Sequence, residues 1–518
     1  MKRIVGVLLF GAGAIALARP QLASAFEKPL SLPTPVPITL AQSSVVLAQG
    51  AQASVQAFGI AGTFRVTVDH PQVVEAVPDQ AARRVLLSAK GLGNSVLTLT
   101  DARGMSASFP VLVEASAGTV AASAAVKITG APASPGFVAG QAAHAAAMAA
   151  RALPGAQVRV VSEELRAPQL DLEEITEVAV PVRIEGPGLY PVEGVTRVRV
   201  ENFAQPQVHP SSLLVSDFPE RLHEDGLLYT TQLQPRDPTR ILFYHANPHG
   251  QPPRWIVLQL TNHSNSPATV MVIDGHGGAN PNEMLVGHLA TKRFLVHQLQ
   301  NEGVLVEVPA QSTVAVVSRS LPPDTVISDL LQLNEIEGDP LALALIAEQT
   351  PAAQPNLDTM GAWLTDRVRH ARGRYPIPEL FYEATYDTQE PELSIPIGQL
   401  PLPNLRQGIA LDGDYGVLFS VNATLLNTSN SPAEIALYAT PRGGRAAGTF
   451  LIDHTLIQAH ALPAFSHYKL KQYTVPAHGF LNTSVVTMPE GGSSYPLDLI
   501  FAPDDGSPNP GAPGSLMY

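Results

Sequence analysis

One nine-residue phrase occurs twice in this chain. Leu260-Thr261-Asn262-His263-Ser264-Asn265-Ser266-Pro267-Ala268 returns as Leu425-Leu426-Asn427-Thr428-Ser429-Asn430-Ser431-Pro432-Ala433. Gly277-Gly278 returns as Gly443-Gly444, and Val308-Pro309-Ala310 as Val475-Pro476-Ala477, in the same order and at nearly one offset. Collinear matches of this kind mark an internal duplication, so whatever the first copy folds into the second must fold into as well. The copies are expected at 178–348 and 376–502.

The phrase also sets the fold class. In each copy an alternating run (Trp255 to Leu260; Val417 to Leu425) meets an Asn- and Ser-rich turn, and a Pro-Ala step leads into a second run (Thr269 to Ile273; Glu434 to Ala439). Asn and Ser side chains satisfy turn backbone groups, and Pro fixes the start of the next strand. A Gly-Gly turn is expected after that. Turn signals about every ten residues, with little helical periodicity, predict β-sandwiches of Ig-like type. The whole chain is read as mainly β and modular. It joins a small β-domain, a small α+β unit and the two related sandwiches.

The N-terminus reads as an export signal. Lys2 and Arg3 precede an apolar run from Ile4 to Ala18, and Ala23-Ser24-Ala25 has the small-residue pattern of a cleavage site. Residues 1–25 are therefore expected to be a Sec-type signal peptide. The run is too short to span a bilayer, and no Cys follows it to carry a lipid. The chain has no Cys at all. That removes disulfides, thiolate nucleophiles and Cys-ligated metals, and it fits a bacterial periplasmic or extracellular protein. Residues 26–42 are Pro-rich and read as an extended lead-in.

From Ser43 the pattern becomes short alternating strands. Phe64, Val66 and Val68 share one face of a strand that Pro71 ends. Arg84 to Ser88 follows. Ser95 to Thr100 and Ser106 to Val113 form a hairpin, in which Asp101 and Gly104 hold the first and last positions of a type I turn. The elements Val66-x-Val68-x-x-Pro71-x-Val73 and Lys90-Gly91-x-Gly93-x-Ser95-x-Leu97 carry a resemblance. Residues 43–115 resemble the N-terminal module of pilus-assembly secretins and related periplasmic pilus proteins. Next come a strand from Ala125 to Gly130, an Ala-rich helix from Gln141 to Leu153 and a strand from Gln157 to Val161. This unit, at 122–166, resembles the BON-like domain that follows the first module in such secretins. The resemblance implies a place in pilus assembly. It stops before the long membrane-facing gate strands of a secretin, so the chain is not itself expected to be a pore.

Between the copies, 356–375 is expected to be a helical linker. Asp358 caps it, Met360, Leu364 and Val368 make one apolar face, and Arg367, Arg369, Arg372 and Arg374 gather at its end. Residues 503–518 read as a disordered tail.

Few residues point to chemistry. Ser466 and Lys469 satisfy S-x-x-K without the companion motifs of a serine acyl-transferase. Eight of the fifteen His fall between His209 and His297, and His245, His249 and His276 are the candidates for a copper or zinc site. Pro248 disfavours a helix that would bring His245 and His249 to one face. The pairs Glu163-Glu164 and Glu173-Glu174 read as surface charge. A net charge of −13 argues against nucleic acid. The expectation is a non-enzymatic envelope protein acting through protein–protein contacts with envelope or pilus partners. It carries no assigned catalytic, cofactor or metal residue and no transmembrane segment after cleavage. Binding of a glycan, small ligand or metal by the tandem sandwiches is the alternative.

Overall fold

A computed structural model describes residues 36–161, 165–350, 363–405 and 408–508. The chain divides into two compact units, one up to Ser116 and one from Ala117 onward. The expected signal peptide, Glu163-Glu164 and the cap Asp358 lie outside the described residues.

In the first unit, alternation along each strand builds a sandwich of two four-stranded sheets. One sheet has the order Thr39–Leu40, Gln52–Phe58, Arg84–Ala89, Val74–Asp79. The other has Val45–Ala48, Ser106–Ser116, Gly93–Asp101, Phe64–Val68. Their inner faces meet through Val55, Phe64, Val85, Leu97, Phe109 and Val111. The expected hairpin turn forms, with Gly104 N donating to Asp101 O at 3.0 Å. The lead-in is not wholly free: Ile38 is buried in this core, and Thr39–Leu40 pairs with Ala57 and Phe58.

The second unit begins with a helix on a sheet. Helix α1 (Pro135–Ala149) starts at Ser134, whose side chain accepts from Phe137 N, with Pro135 at the first helical position. Its buried face (Phe137, Val138, Ala142, Ala146) packs on Val178, Val180, Val182, Ile184, Val198 and Val200. Those valines belong to a long hairpin, Ile175–Gly186 and Leu189–Asn202. Residues 178–202, expected to open the first sandwich, instead complete the α+β unit. The physical reason is area: one helix and the short strands Ser123–Thr129 and Gln157–Val160 cannot enclose a core without the hairpin.

The first sandwich follows. One sheet runs Arg372–Tyr375, Ser212–Ser216, Thr239–Asn247, Thr325–Glu337, Ala268–Asn280, Gly303–Val308. The other runs Gly226–Leu233, Leu341–Glu348, Arg254–Asn262, Ser312–Leu321. The second sandwich has a five-stranded sheet (Glu379–Asp387, Leu418–Asn427, Gly479–Thr487, Ala446–Ile452, Thr455–Leu462) over a four-stranded one (Leu393–Ile397, Leu497–Pro503, Ala433–Pro441, Tyr468–Val475). The chain is thus mainly β, a succession of sandwich modules with one α+β unit.

The duplication holds at the level of register. Ala268 pairs with Val308 in the first copy and Ala433 with Val475 in the second. Asn262 and Asn427, both fully buried, do the same work. Each Nδ2 donates across the turn, to Ser266 O (2.8 Å) and Val308 O (3.0 Å) in one copy and to Ser431 O (2.8 Å) and Val475 O (3.1 Å) in the other.

The copies diverge between the second and third shared strands. The second copy has the expected bend at Gly443-Gly444 and then the hairpin Ala446–Leu462. The first copy carries helix α2 (Glu283–Leu299) instead, and Gly277-Gly278 lies inside a strand rather than a turn. A Cβ on Gly275 would fall 2.4 Å from Ala290 O, and one on Gly277 would fall 1.9 Å from Val286 O. These glycines let α2 lie against the strand.

Two further expectations are corrected. The described part of 356–375 is not helical: Trp363 bridges to Leu227, and Arg372–Tyr375 is an edge strand paired with Leu213–Ser216. Strand pairing and packing of Leu364 in the first core outweigh the helical spacing of the apolar residues. The tail is held as far as Ser507, because Lys469 Nζ pairs with Asp504 and donates to Ser507 O.

Candidate functional site

The strand Ser212–Ser216 and its edge partner Arg372–Tyr375 end together, and two polar segments emerge side by side. Asp217 N still donates to Ala371 O at 3.0 Å, so the ladder itself places Asp217 beside His370. Glu220 follows one turn later. The His370 imidazole stands between the two carboxylates, with Nδ1 3.7 Å from Asp217 Oδ2 and Nε2 3.3 Å from Glu220 Oε2. One donor atom from each of the three residues falls within 4.8 Å of the others.

The Asp217–Glu220 turn is braced from below by His245. Its Nδ1–H donates to Pro219 O at 2.9 Å, and its Nε2 accepts from the Ser216 hydroxyl at 3.3 Å. Burial holds the His245 pKa down at about 4. A neutral ring suits this pair of bonds, with one nitrogen donating to the carbonyl and the other accepting from the hydroxyl.

These residues open onto a cleft of about 440 Å³. Tyr244 and the first α2 residue, Glu283, form one wall; Asp412, Tyr415 and Ser493 of the second sandwich form another. Tyr415 closes that wall by donating its hydroxyl to Ser493 O at 2.6 Å. Gly492 has φ of 72°, and a Cβ there would sit 2.4 Å from Glu283 O, so the loop can close on α2 only with glycine. The lining is unbalanced: Asp217, Glu220, Glu283 and Asp412 face one guanidinium, Arg369. Burial and the neighbouring Glu220 charge push the Asp217 carboxyl well above its ordinary value. Its Oδ1 is shut off from solvent with no hydrogen-bond partner.

The histidines singled out by sequence do not converge. His245 is the brace just described. His249 is exposed and paired with Asp324. His276 pairs with Asp329, whose other oxygen is held by Arg319. Ser466 donates to Pro463 O while Lys469 is engaged by the tail, so they form no nucleophile–base pair. Glu173 and Glu174 serve separate backbone donors, Ala204 N and Asp171 N. The arginines expected at the end of the linker helix disperse. Arg372 lies between the Phe218 and Trp363 rings, Arg374 pairs with Asp237, and Arg369 enters the cleft. The site that does assemble had only a faint sequence signal, Asp217-x-x-Glu220, with its histidine far downstream.

No family model matches the chain, and no curated protein matches it. Among solved structures it is similar to the N-terminal Ig1-2 module of the Drosophila receptor protein tyrosine phosphatase DLAR, at 9% identity over 32% of this chain and 99% of that one, TM-score 0.14. It is similar to Drosophila N-cadherin EC1-4, at 12% identity over 33% and 50%, TM-score 0.12. It is also similar to the insect immune protein hemolin, at 10% identity over 42% and 61%, TM-score 0.18. Superpositions this partial share stacked strands, and no function follows from them.

Proposed function

We propose that this chain is an exported, non-enzymatic envelope protein that works by contact, with the acidic cleft as its contact centre. The observation that carries the reading is the Asp217 carboxylate. The side chain is about a quarter exposed (27%), but its Oδ1 is closed off and unpartnered; ionising a carboxyl held this way is costly, and a cationic group supplied from outside offsets that cost. The walls come from both sandwiches, so an occupant touches both. The basic N-terminal start, the apolar run and the Ala-x-Ala site support export. No helix among the described residues is long and apolar enough to cross a membrane. The pilus-secretin resemblance of residues 43–115 supports a role in pilus or surface-structure assembly. The test is crosslinked co-purification of the mature protein from envelopes, wild type beside Asp217→Asn/Glu220→Gln. Recovery of an envelope or pilus component that the double variant loses is the expected result. Recovery of none, or equal recovery by both, counts against it.

A second reading has its own observation. The outer face of the five-stranded sheet carries a polar trough of about 380 Å³, lined by Glu383, Asn422, Thr424, Asn482 and Ser484. Phe381, two residues from Glu383 on the same face, is 68% exposed. Carboxamides and hydroxyls beside an aromatic ring suit a glycan, and a glycan array on the mature protein separates this reading from the first.

A further inference from the structure

The three donors beside the cleft differ from the other acidic groups of the surface in kind. They are two carboxylates and one imidazole, drawn from two segments that the sheet holds in register. We propose that Asp217, Glu220 and His370 form a binding site for a divalent transition-metal ion of the zinc or manganese class.

Three observations carry this. First, the donor set is right: imidazole nitrogen and carboxylate oxygen together suit Zn²⁺ or Mn²⁺. A chain without Cys has no thiolate to build a softer site. Second, the spacing is close. Zinc bonds of about 2.0–2.1 Å place tetrahedral ligands about 3.3 Å apart, and the His370 Nε2 to Glu220 Oε2 separation is 3.3 Å. Third, Asp217 Oδ1 is closed off from solvent and has no hydrogen-bond partner, so the carboxyl is not already committed to another group. The two carboxylates also match the charge of the ion, which replaces their mutual repulsion by attraction.

The site has three protein ligands and opens on the cleft, so a fourth position is left for water or for a donor atom of whatever occupies the cleft. It also joins the segment before Arg372–Tyr375 to the first sandwich. Metal therefore stabilises that edge by mass action.

The inference stands apart from the contact reading, because ion uptake is measured on the isolated protein and partner recovery is not. The experiment is calorimetric titration of metal-stripped mature protein with ZnCl₂ and MnCl₂, followed by pulsed electron paramagnetic resonance of the Mn²⁺ complex. One equivalent bound by wild type is expected, with at least a tenfold loss of affinity in Asp217→Asn and in His370→Gln. A single imidazole nitrogen coupled to Mn²⁺ is expected in the wild-type spectrum, and this readout needs no variant to fold. No stoichiometric uptake of either ion, or uptake unchanged in His370→Gln, overturns the proposal. A spectrum without imidazole coupling overturns it equally.

Discussion

Two buried histidines sit in opposite electrostatic surroundings, and they bend the pH dependence of stability in opposite directions. His245 hydrogen-bonds neutral groups, the Ser216 hydroxyl and Pro219 O, and burial, with the Arg372 charge adding to it, lowers its pKa to about 4. The unfolded side chain titrates near 6.5. Between those values the unfolded chain holds the extra proton, so stability falls as pH drops from about 6.5 to about 4, by up to about 3 kcal/mol. His288 on α2 donates toward Glu490 at 2.9 Å, with Gln458 and the His460 ring around it. Its burial works against the charge, but the Glu490 carboxylate and the hydrogen bonds win, and its pKa is raised. That contribution is complete below the unfolded value and disappears as pH rises through the folded one. Urea midpoints from pH 4 to 9 check both. His245→Gln is expected to flatten the acid limb, and His288→Gln to flatten the loss on the alkaline side. Legibility at this scale was uneven. Asn262 and Asn427 announced themselves by recurring, because a turn needs that side chain locally. His245 and His288 gave no sign of their opposite states, because those depend on neighbours far along the chain.

Among the elements, α2 is where duplication and divergence meet. The two copies share strands and turn chemistry, yet one fills the variable segment with a helix and the other with a hairpin. Gly287 of α2 meets the second copy at the backbone: a Cβ there would fall 1.7 Å from Gly491 O. The segment 283–299 carries the spacing of a helix, but its glycine neighbours read as turn punctuation, and the sandwich pattern on either side hid it. Helix packing onto Gly277 gives a sharp expectation. Gly277→Ala drives a methyl into the Val286 carbonyl, and over-packing of this kind costs about 1–3 kcal/mol or more. Gly278→Ala meets nothing nearer than the His276 ring at 3.5 Å. Calorimetry is expected to show a lowered melting temperature for the first variant and little change for the second.

Over the whole molecule, the sandwiches of the second unit are one folding problem. Leu213, Leu242, Met271, Phe294 and Tyr375 of the first copy share a buried cluster with Tyr386, Ile397, Phe419 and Leu437 of the second. The first sheet is thus buried on both faces. A chain ending at Thr350 is expected to expose that outer face, to bind a hydrophobic dye and to aggregate on gel filtration. Residues 36–116 alone, whose core draws only on their own side chains, are expected to remain monomeric and to melt cooperatively.

What the sequence determined by itself was local or periodic: alternation, turn residues, a repeated phrase, an Ala-rich helix and an absence of Cys. These depend on neighbours within a few positions, and they were enough for a mainly β chain with a duplicated sandwich. The tertiary structure decided everything that rests on long-range pairing. It gave the valine hairpin 175–202 to the α+β unit, turned a helical-looking linker into an edge strand and set α2 on its glycines. It also brought His370 to Asp217 and Glu220. A side chain's chemistry is written in its own residue, but the company it keeps is fixed by which strands pair. No spacing along the chain encodes that.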